Sequence, residues 1–291
     1  MRQYLSTENY FDNTVSIFRD MEYNRGMARP RLSQNIDAES VIIAPLARGL
    51  DVLKAFQAGD PPLRNRDIAR RTGIPPSSVS RLTGSLVALG YLNYDAASQA
   101  YSLTPAVLCF GQAFLGGIPV RAQLRPGMRE LADKYCASVA LGVRQGREMV
   151  YIECSKGPSP VPFRFDIGST LPVMRSAMGW GYLAGLDDGA FARAMDEICI
   201  SDTNMWTTFV RNIERAREEV QTRGFCVSIG AFEPGVHTVG VPVFTRPGGA
   251  VYGMICGAPA YSLSKEQLVG EIGPRLVWLA RSVRQQEPAL G

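Results

Sequence analysis

The chain has a single histidine, His237, and none of its six cysteines (Cys109, Cys136, Cys154, Cys199, Cys226 and Cys256) forms a C-x-x-C pair. Zinc needs nitrogen or sulfur ligands at short spacing, so no metal site is expected. A chain of 291 residues folds without disulfides, and the dispersed thiols read as small apolar side chains in a reducing compartment. No G-x-S-x-G elbow accompanies the lone imidazole, which removes the usual basis for a serine hydrolase. His237, in "VHTVGVP", reads as a half-exposed or structurally hydrogen-bonded residue of a strand. Long apolar runs are missing as well. "VIIAPLA" and "AVLCFGQAFLGGI" fall short of the roughly 20 residues that span a bilayer. The first residues, "MRQYLSTENYFDN", lack the basic start and apolar run of a secretory signal. The expectation is a cytoplasmic protein with no membrane partner.

What is present is ordinary globular composition, 46% hydrophobic and 20% charged, in a length that predicts about two domains. The net charge is +4. It is unevenly placed: residues 45 to 118 carry seven Lys and Arg against four Asp and Glu, and six of the seven are arginine. Arginine is the side chain best shaped for phosphate and guanine.

Residues 1 to 44 show no sustained period, and "RGMARPRLSQ" is broken by Gly26 and Pro30, so this segment reads as an extension or arm. From Pro45 a helix is predicted, with Leu46, Leu50, Leu53 and Phe56 on its inner face and Gly59 with "DPP" as its stop. "LRNRDIARRTG" predicts a short second helix capped by Asn65 and ended by Gly73. The next stretch, "PPSSVSRLTGSLVALGYL", puts Val79, Leu82, Leu86 and Leu89 on one buried stripe. Its other side is small and polar: Ser77, Ser80, Arg81 and Gly84, with Ser78 on the flank and Ser77 or Ser78 as cap. "YLNYD" and "QAYSLT" then form a hairpin around "DAASQ".

This order of elements is that of a winged helix-turn-helix. A helix seated in the roughly 12 Å wide major groove must be slim on its outer face and carry hydroxyls or arginine near its start. A solvated helix surface would look similar. The preceding Arg66, Arg70 and Arg71 favour the DNA reading, since backbone phosphates lie there.

The succession "LARGLDVLKAF", "IARRTGIPPSSVSRLTGSLVALGYL" and "YSLTPAVLCFGQAFL" resembles the IclR family of bacterial transcriptional regulators. "LRPGMRELADKY", "DIGSTLPVMRSAMGWGYLAGL" and "RGFCVSIGAFEPGVHTVGVPVFTRPGGAVYGMICGAP" continue that resemblance to about residue 285. It implies an α+β chain: a winged helix-turn-helix over 45 to 104, a linker helix over 105 to 118, and a GAF-like effector domain over 119 to 291. The residues alone also predict antiparallel sheet and helices in that last part. "SVALGVRQGREMVYIECS" and "TVGVPVFTRPGGAVYGMICGAP" each read as two strands, and "RNIERAREEVQTRG" and "KEQLVGEIGPRLVWLARSVRQQ" as amphipathic helices, the second interrupted by Gly273 and Pro274.

By position, the resemblance puts Arg175, Ser176, Ala177, Met178, Ser228, Thr238 and Ile255 or Cys256 on the effector-pocket wall. Phe163 and Phe165 either bracket a ring in the effector or fill core as alternating strand residues do. The chain departs from the family pattern at Arg175, where a small residue is usual, and at Trp180, where lysine is. A buried Arg175 needs an anionic partner such as a ligand carboxylate, and an exposed one needs none.

The reading is a ligand-responsive regulator, not an enzyme and without cofactor, that senses a small organic acid, with aromatic acids among the candidates, to control catabolic genes. Its partners are double-stranded operator DNA and further copies of itself, as a homodimer or homotetramer, because palindromic sites require paired recognition helices. The wing residues Ser98 and Gln99 are expected at the DNA backbone or minor groove. Two alternatives stand beside it: a sensor or interaction module without specific DNA binding, and a dinucleotide-dependent enzyme using "GWGYLA", Gly179 to Ala184.

Overall fold

The computed structural model describes residues 42–158, 165–198, 203–246, 249 and 251–283; the expected arm up to residue 41 and Phe163 lie outside these. Contacts divide the chain into two compact units between Val107 and Leu108.

The first unit holds helices α1 (Ala44–Lys54), α2 (Asn65–Thr72) and α3 (Pro76–Ala88), and short strands β1 (Leu63–Arg64), β2 (Leu92–Asp95) and β3 (Ala100–Leu103). The strands are antiparallel in the order β1-β3-β2. Val52, Leu63, Ile68, Val79, Leu86 and Leu92 form the core. Gly73, at φ +70°, ends α2 in the left-handed region that glycine adopts without strain. Asn65 is not the cap: it is the first helical residue, and the Asp67 carboxylate accepts the Arg64 backbone N–H instead. Pro75 stands at the cap of α3, with Pro76 at the first helical position where a missing N–H costs nothing.

Two burial expectations need correction. In α1 the inner edge is Val52 and Ala55, with Leu53 and Phe56 partly buried, while Leu46 and Leu50 are 61% and 48% exposed. In α3 the stripe runs Val79, Thr83 and Leu86. Leu89 is exposed because the helix ends at Ala88 and the chain turns at Gly90. Thr83 is tolerated in the core because its hydroxyl donates to the Val79 carbonyl at 2.9 Å.

The second unit begins with α4 (Leu108–Gly116), entered through a 3₁₀ turn at Pro105–Val107, and α5 (Val120–Tyr135). A six-stranded antiparallel sheet follows: β4 (Ser138–Gln145), β5 (Glu148–Lys156), β6 (Thr170–Pro172), β7 (Cys226–Ile229), β8 (Val236–Phe244) and β9 (Val251–Pro259). Its order is β6-β5-β4-β9-β8-β7. Helices α6 (Ala177–Ala184), α7 (Asp188–Ile198) and α8 (Thr203–Arg223) cover one face. The other face packs on α5 and on α10 (Gly273–Ser282), which follows the single-turn α9 (Lys265–Gln267) and a π turn at Leu268–Ile272. The expected interruption at Gly273 and Pro274 is thus a π turn that accommodates the proline with the chain still helical.

Each face has its own apolar layer. Leu124, Met128, Leu141, Ile152, Val239, Met254 and Leu276 fill the α5/α10 side, and Met149, Met178, Trp180, Leu183 and Ile213 fill the α6 side. Each such fully buried aliphatic side chain contributes about 1.5–3 kcal/mol.

Candidate functional site

In the first unit, the outer face of α3 points to solvent: Ser77, Ser80, Arg81 and Gly84 are exposed and Ser78 is half-exposed. Beyond the helix's own backbone and the adjoining residues, no atom lies within 4 Å of where a Gly84 side chain would begin, so the helix is slim there. Among the described residues, the Ser77 and Ser78 hydroxyls and the Arg66 and Arg81 guanidinium groups take no hydrogen bond or ion pair from the protein. Ser80 is different. Its hydroxyl donates to the Pro76 carbonyl at 3.1 Å and accepts from the Asn65 side-chain amide.

Beside α3, the residues Arg64, Asn65, Arg66, Tyr94, Gln99 and Tyr101 line an open groove of about 390 Å³ between the start of α2 and the wing. The Tyr94 and Tyr101 rings face each other across β2 and β3 at 4.9 Å. Asp95 organises the wing turn: its carboxylate accepts the Ala97 and Ser98 backbone N–H groups and the Ser98 hydroxyl, which together hold its pKa below the usual carboxylate value. Ser98 is therefore engaged inside the wing, whereas Gln99, at φ +54°, is exposed at its edge.

The three arginines of the α2 region separate. Arg66 is exposed and unpaired among the described residues, and Arg70 is exposed with one N–H on Asp67 at 3.2 Å. Arg71 is exposed but tied down, donating to the Ala55 carbonyl at 2.8 Å and to both oxygens of Asp60. That bidentate contact pushes the Asp60 pKa down. Unlike Arg66, Arg71 already has its fork engaged by a carboxylate and a helix-end carbonyl, which a phosphate would have to share or displace.

In the second unit, the sheet face under α6 carries an aromatic row. Tyr151 meets Phe165 at 5.7 Å between ring centroids, and Phe165 meets Phe232 at 6.1 Å. Arg175 stands at the end of this row, 5.7 Å over the Phe232 ring, and donates to the Phe232 carbonyl at 3.1 Å. Its side chain is exposed. Ser228 is buried on β7 directly opposite Thr238 of β8, and Ile255 of β9 and Cys154 of β5 share that face. Burial pushes the Cys154 thiol up to about 11, so it stays neutral. At the rim, Lys156 pairs with Asp166 at 2.9 Å.

Ser176 caps α6 by accepting the Gly179 N–H at 3.1 Å. Ala177 and Met178 are buried where α6 lies directly on the sheet. A side chain at Gly240 would come within 1.9 Å of the Ala177 carbonyl oxygen.

A family model for the IclR helix-turn-helix domain matches residues 45–96, and one for the bacterial transcriptional regulator IclR C-terminal domain matches residues 112–285. The chain belongs to the IclR family. A crystal structure of an IclR family transcriptional regulator from Brucella abortus shares 34% identity and a TM-score of 0.73, covering 88% of this chain and 98% of that one. The Pca regulon regulatory protein of Pseudomonas putida is 26% identical over 243 residues, 83% of each chain. The p-hydroxybenzoate hydroxylase transcriptional activator of Acinetobacter baylyi is 24% identical, covering 90% of this chain and 98% of that one.

An IclR helix-turn-helix places this protein among the DNA-binding transcriptional regulators, and its fold explains several residues that looked ambiguous. "GWGYLA" is the body of α6, and the strand before it, β6, runs antiparallel to β5. A side chain at Gly181 would come within 2.8 Å of the Val241 backbone, so the glycines serve close packing and not a phosphate loop. Trp180 is fully buried, its indole N–H donating to the Met174 carbonyl at 2.7 Å. His237 is structural, with Nδ1 2.8 Å from the Leu263 carbonyl oxygen.

Of Ile255 and Cys256, the two residues the resemblance offered at this position, Ile255 lies under α6 and Cys256 is buried on the α5/α10 side, because strand residues alternate. Tyr151, Phe232 and Arg64 were not singled out from sequence, and Tyr94 reads there only as a strand former. Phe232 sits in an aperiodic loop with no pattern to reveal it. The other three sit at strand positions whose neighbours across the sheet give them their role.

Proposed function

We propose that this IclR regulator inserts α3 into the major groove of double-stranded operator DNA and changes its grip when a small aromatic carboxylic acid binds against the sheet of the second unit. The observation that carries the DNA half is the outward, slim face of α3 with its unpaired Arg81. Ser77, Ser78 and Arg81 reach base edges, and Ser80 contributes through its place against Asn65. Arg64 and Arg66 hold phosphates along the groove they line, with Tyr94 and Gln99 on the wing side, and the exposed Arg70 farther along α2 holds another. Ser98 acts there by shaping the turn.

The effector half rests on the row Tyr151, Phe165, Phe232 ending in Arg175. Ring stacking in the row and a carboxylate on the exposed guanidinium fit an aromatic acid. Ser176, Ala177 and Met178 shape the wall through α6, and Ser228 and Thr238 offer hydroxyls. The name of the Acinetobacter baylyi relative supports an aromatic compound as the first candidate.

Two copies are needed to read a palindromic site. The apolar faces support this: Ile43 at the cap of α1 and Leu46 and Leu50 on it are exposed, and Leu108 and Phe114 of α4 are exposed as well. A second copy covers them in a cytoplasmic homodimer, or two such pairs in a homotetramer.

The test is selection of bound sequences from random duplex DNA, followed by titration of the selected and scrambled duplexes. Equal affinity for both would leave a sensor or interaction module without specific DNA binding. Thermal shift with p-hydroxybenzoate and a panel of aliphatic and aromatic carboxylic acids tests the effector class, and no stabilisation by any of them refutes it.

A further inference from the structure

Arg121, at the start of α5, joins three parts of the second unit with one guanidinium. Its Nε donates to the Ile152 carbonyl at 2.6 Å, one terminal nitrogen donates to the Leu115 carbonyl at 2.9 Å, and the other lies 3.2 Å from the Glu153 carboxylate. The arginine side chain is 12% exposed and that of Glu153 5%. Leu115 belongs to the last turn of α4, the first helix after the DNA-binding unit in the chain. Ile152 and Glu153 belong to β5.

The place on β5 is special. The pairing of β4 with β5 shifts between Leu141 and Gly142: Leu141 faces Glu153 and Gly142 faces Tyr151, leaving Ile152 as the extra residue of a β-bulge. A bulge is where a strand changes twist and aim at least cost. Here it separates Tyr151, whose ring is in the aromatic row, from Glu153, whose carboxylate is on the opposite face with Arg121 and with Arg125 at 2.8 Å.

We infer that Arg121 is the positioning residue that couples the aromatic face of the sheet to the end of the linker helix through the Ile152 bulge. The inference rests on the effector site proposed above and names its route of regulation. A group that displaces Tyr151 or Phe165 re-aims the bulge. The Ile152 carbonyl and Glu153 move with it, and the rigid planar fork of Arg121 carries the displacement to the Leu115 carbonyl. A lysine there keeps the charge against Glu153, but its single compact ammonium on a flexible stem lacks the rigid planar fork whose separate nitrogens span the Ile152, Leu115 and Glu153 oxygens.

The decisive experiment needs no effector. Hydrogen exchange in the peptide spanning residues 108–118 is measured by mass spectrometry on the full chain for wild type, Phe165→Leu, Arg121→Lys and the double variant, with Tyr151→Leu as a second perturbation of the row. In the wild-type background, Phe165→Leu is expected to change exchange in this peptide by about fivefold or more, the lower end of ordinary coupling between sites. In the Arg121→Lys background that change is expected to vanish while the melting curve stays cooperative. An equal effect of Phe165→Leu in both backgrounds, or none in the wild type with Tyr151→Leu also silent, would overturn the inference. Titration with p-hydroxybenzoate reports separately on the effector reading, which fails if no binding occurs even where the exchange cycle shows coupling.

Discussion

The side-chain amide of Asn65, in the first turn of α2, donates to the hydroxyl of Ser80 on the outer face of α3. This bond fixes the second helix of the motif against the third, and it leaves Ser80 a scaffold residue with its hydroxyl hydrogen already directed at Pro76. Arg81, one position on, has no such tie among the described residues. In the proposed DNA complex, base readout on this face is therefore expected to concentrate on Arg81 and on the first-turn serines Ser77 and Ser78.

The Asp60–Arg71 clamp has a pH signature. The folded state holds the Asp60 carboxyl below its ordinary value, so its stabilisation is full above the unfolded carboxylate pKa, near about 4, and is lost as pH falls through the folded value. Asp60→Asn is expected to lower the melting temperature at pH 7, with the gap to wild type closing below about pH 4. A gap that is constant with pH would mean the contact is not ionic.

Gly240→Ala tests the seating of α6. An added methyl carbon would lie 1.9 Å from the Ala177 carbonyl oxygen, a backbone atom that cannot swing away. Overpacking of this kind costs about 1–3 kcal/mol, and the melting temperature is expected to drop by roughly 3–10 °C. An unchanged melt would show that the helix rides higher on the sheet than described.

Arg175→Ala tests the carboxylate anchor. A charged hydrogen bond contributes about 1.5–3 kcal/mol, so the Kd for the acid that most stabilises the protein is expected to rise tenfold or more. The corresponding aromatic alcohol, lacking the carboxylate, is expected to bind wild type and variant alike. If acid and alcohol lose equally, Arg175 acts on the shape of the Phe232 loop and not on the ligand's charge.

Leu50→Glu tests pairing through α1. Leu50 is exposed, as are Leu46 on the same helix and Ile43 at its cap, and a carboxylate on each copy would be brought together at a two-fold contact. Light scattering on the eluting peak is expected to show a smaller assembly than wild type, with weaker operator binding. An unchanged mass would put the pairing surface elsewhere.

Much of this architecture was legible from the residues because periodicity reports burial directly. The slim face of α3 follows from Ser77, Arg81 and Gly84 being set against Val79 and Leu86, and Gly73 announces the end of α2. What the sequence concealed depends on non-local geometry. Leu46, Leu50 and Leu89 look like core by spacing, yet the inner edge of α1 is turned toward Val52 and α3 stops one residue early. Arg71 looks like Arg66 and Arg70 until Asp60, eleven residues back, is seen to fill its fork. The Ile152 bulge breaks the two-residue alternation of β5, so Cys154 and not Glu153 shares a face with Tyr151. The resemblance left Ile255 and Cys256 both open, because a shift of one residue moves a strand position to the opposite face of the sheet.

The central claim is that the outer face of α3 reads DNA, and the most direct measurement is the affinity of wild type, Arg81→Ala and Arg70→Ala for selected and scrambled duplexes across a salt series. Arg81→Ala is expected to cost about 1–3 kcal/mol on the selected duplex alone and to relax the preference at particular base pairs. Arg70→Ala is expected to weaken both duplexes alike and to reduce the slope of log affinity against log salt by about one. Equal losses on both duplexes for Arg81→Ala, with no preference relaxed, would contradict the account.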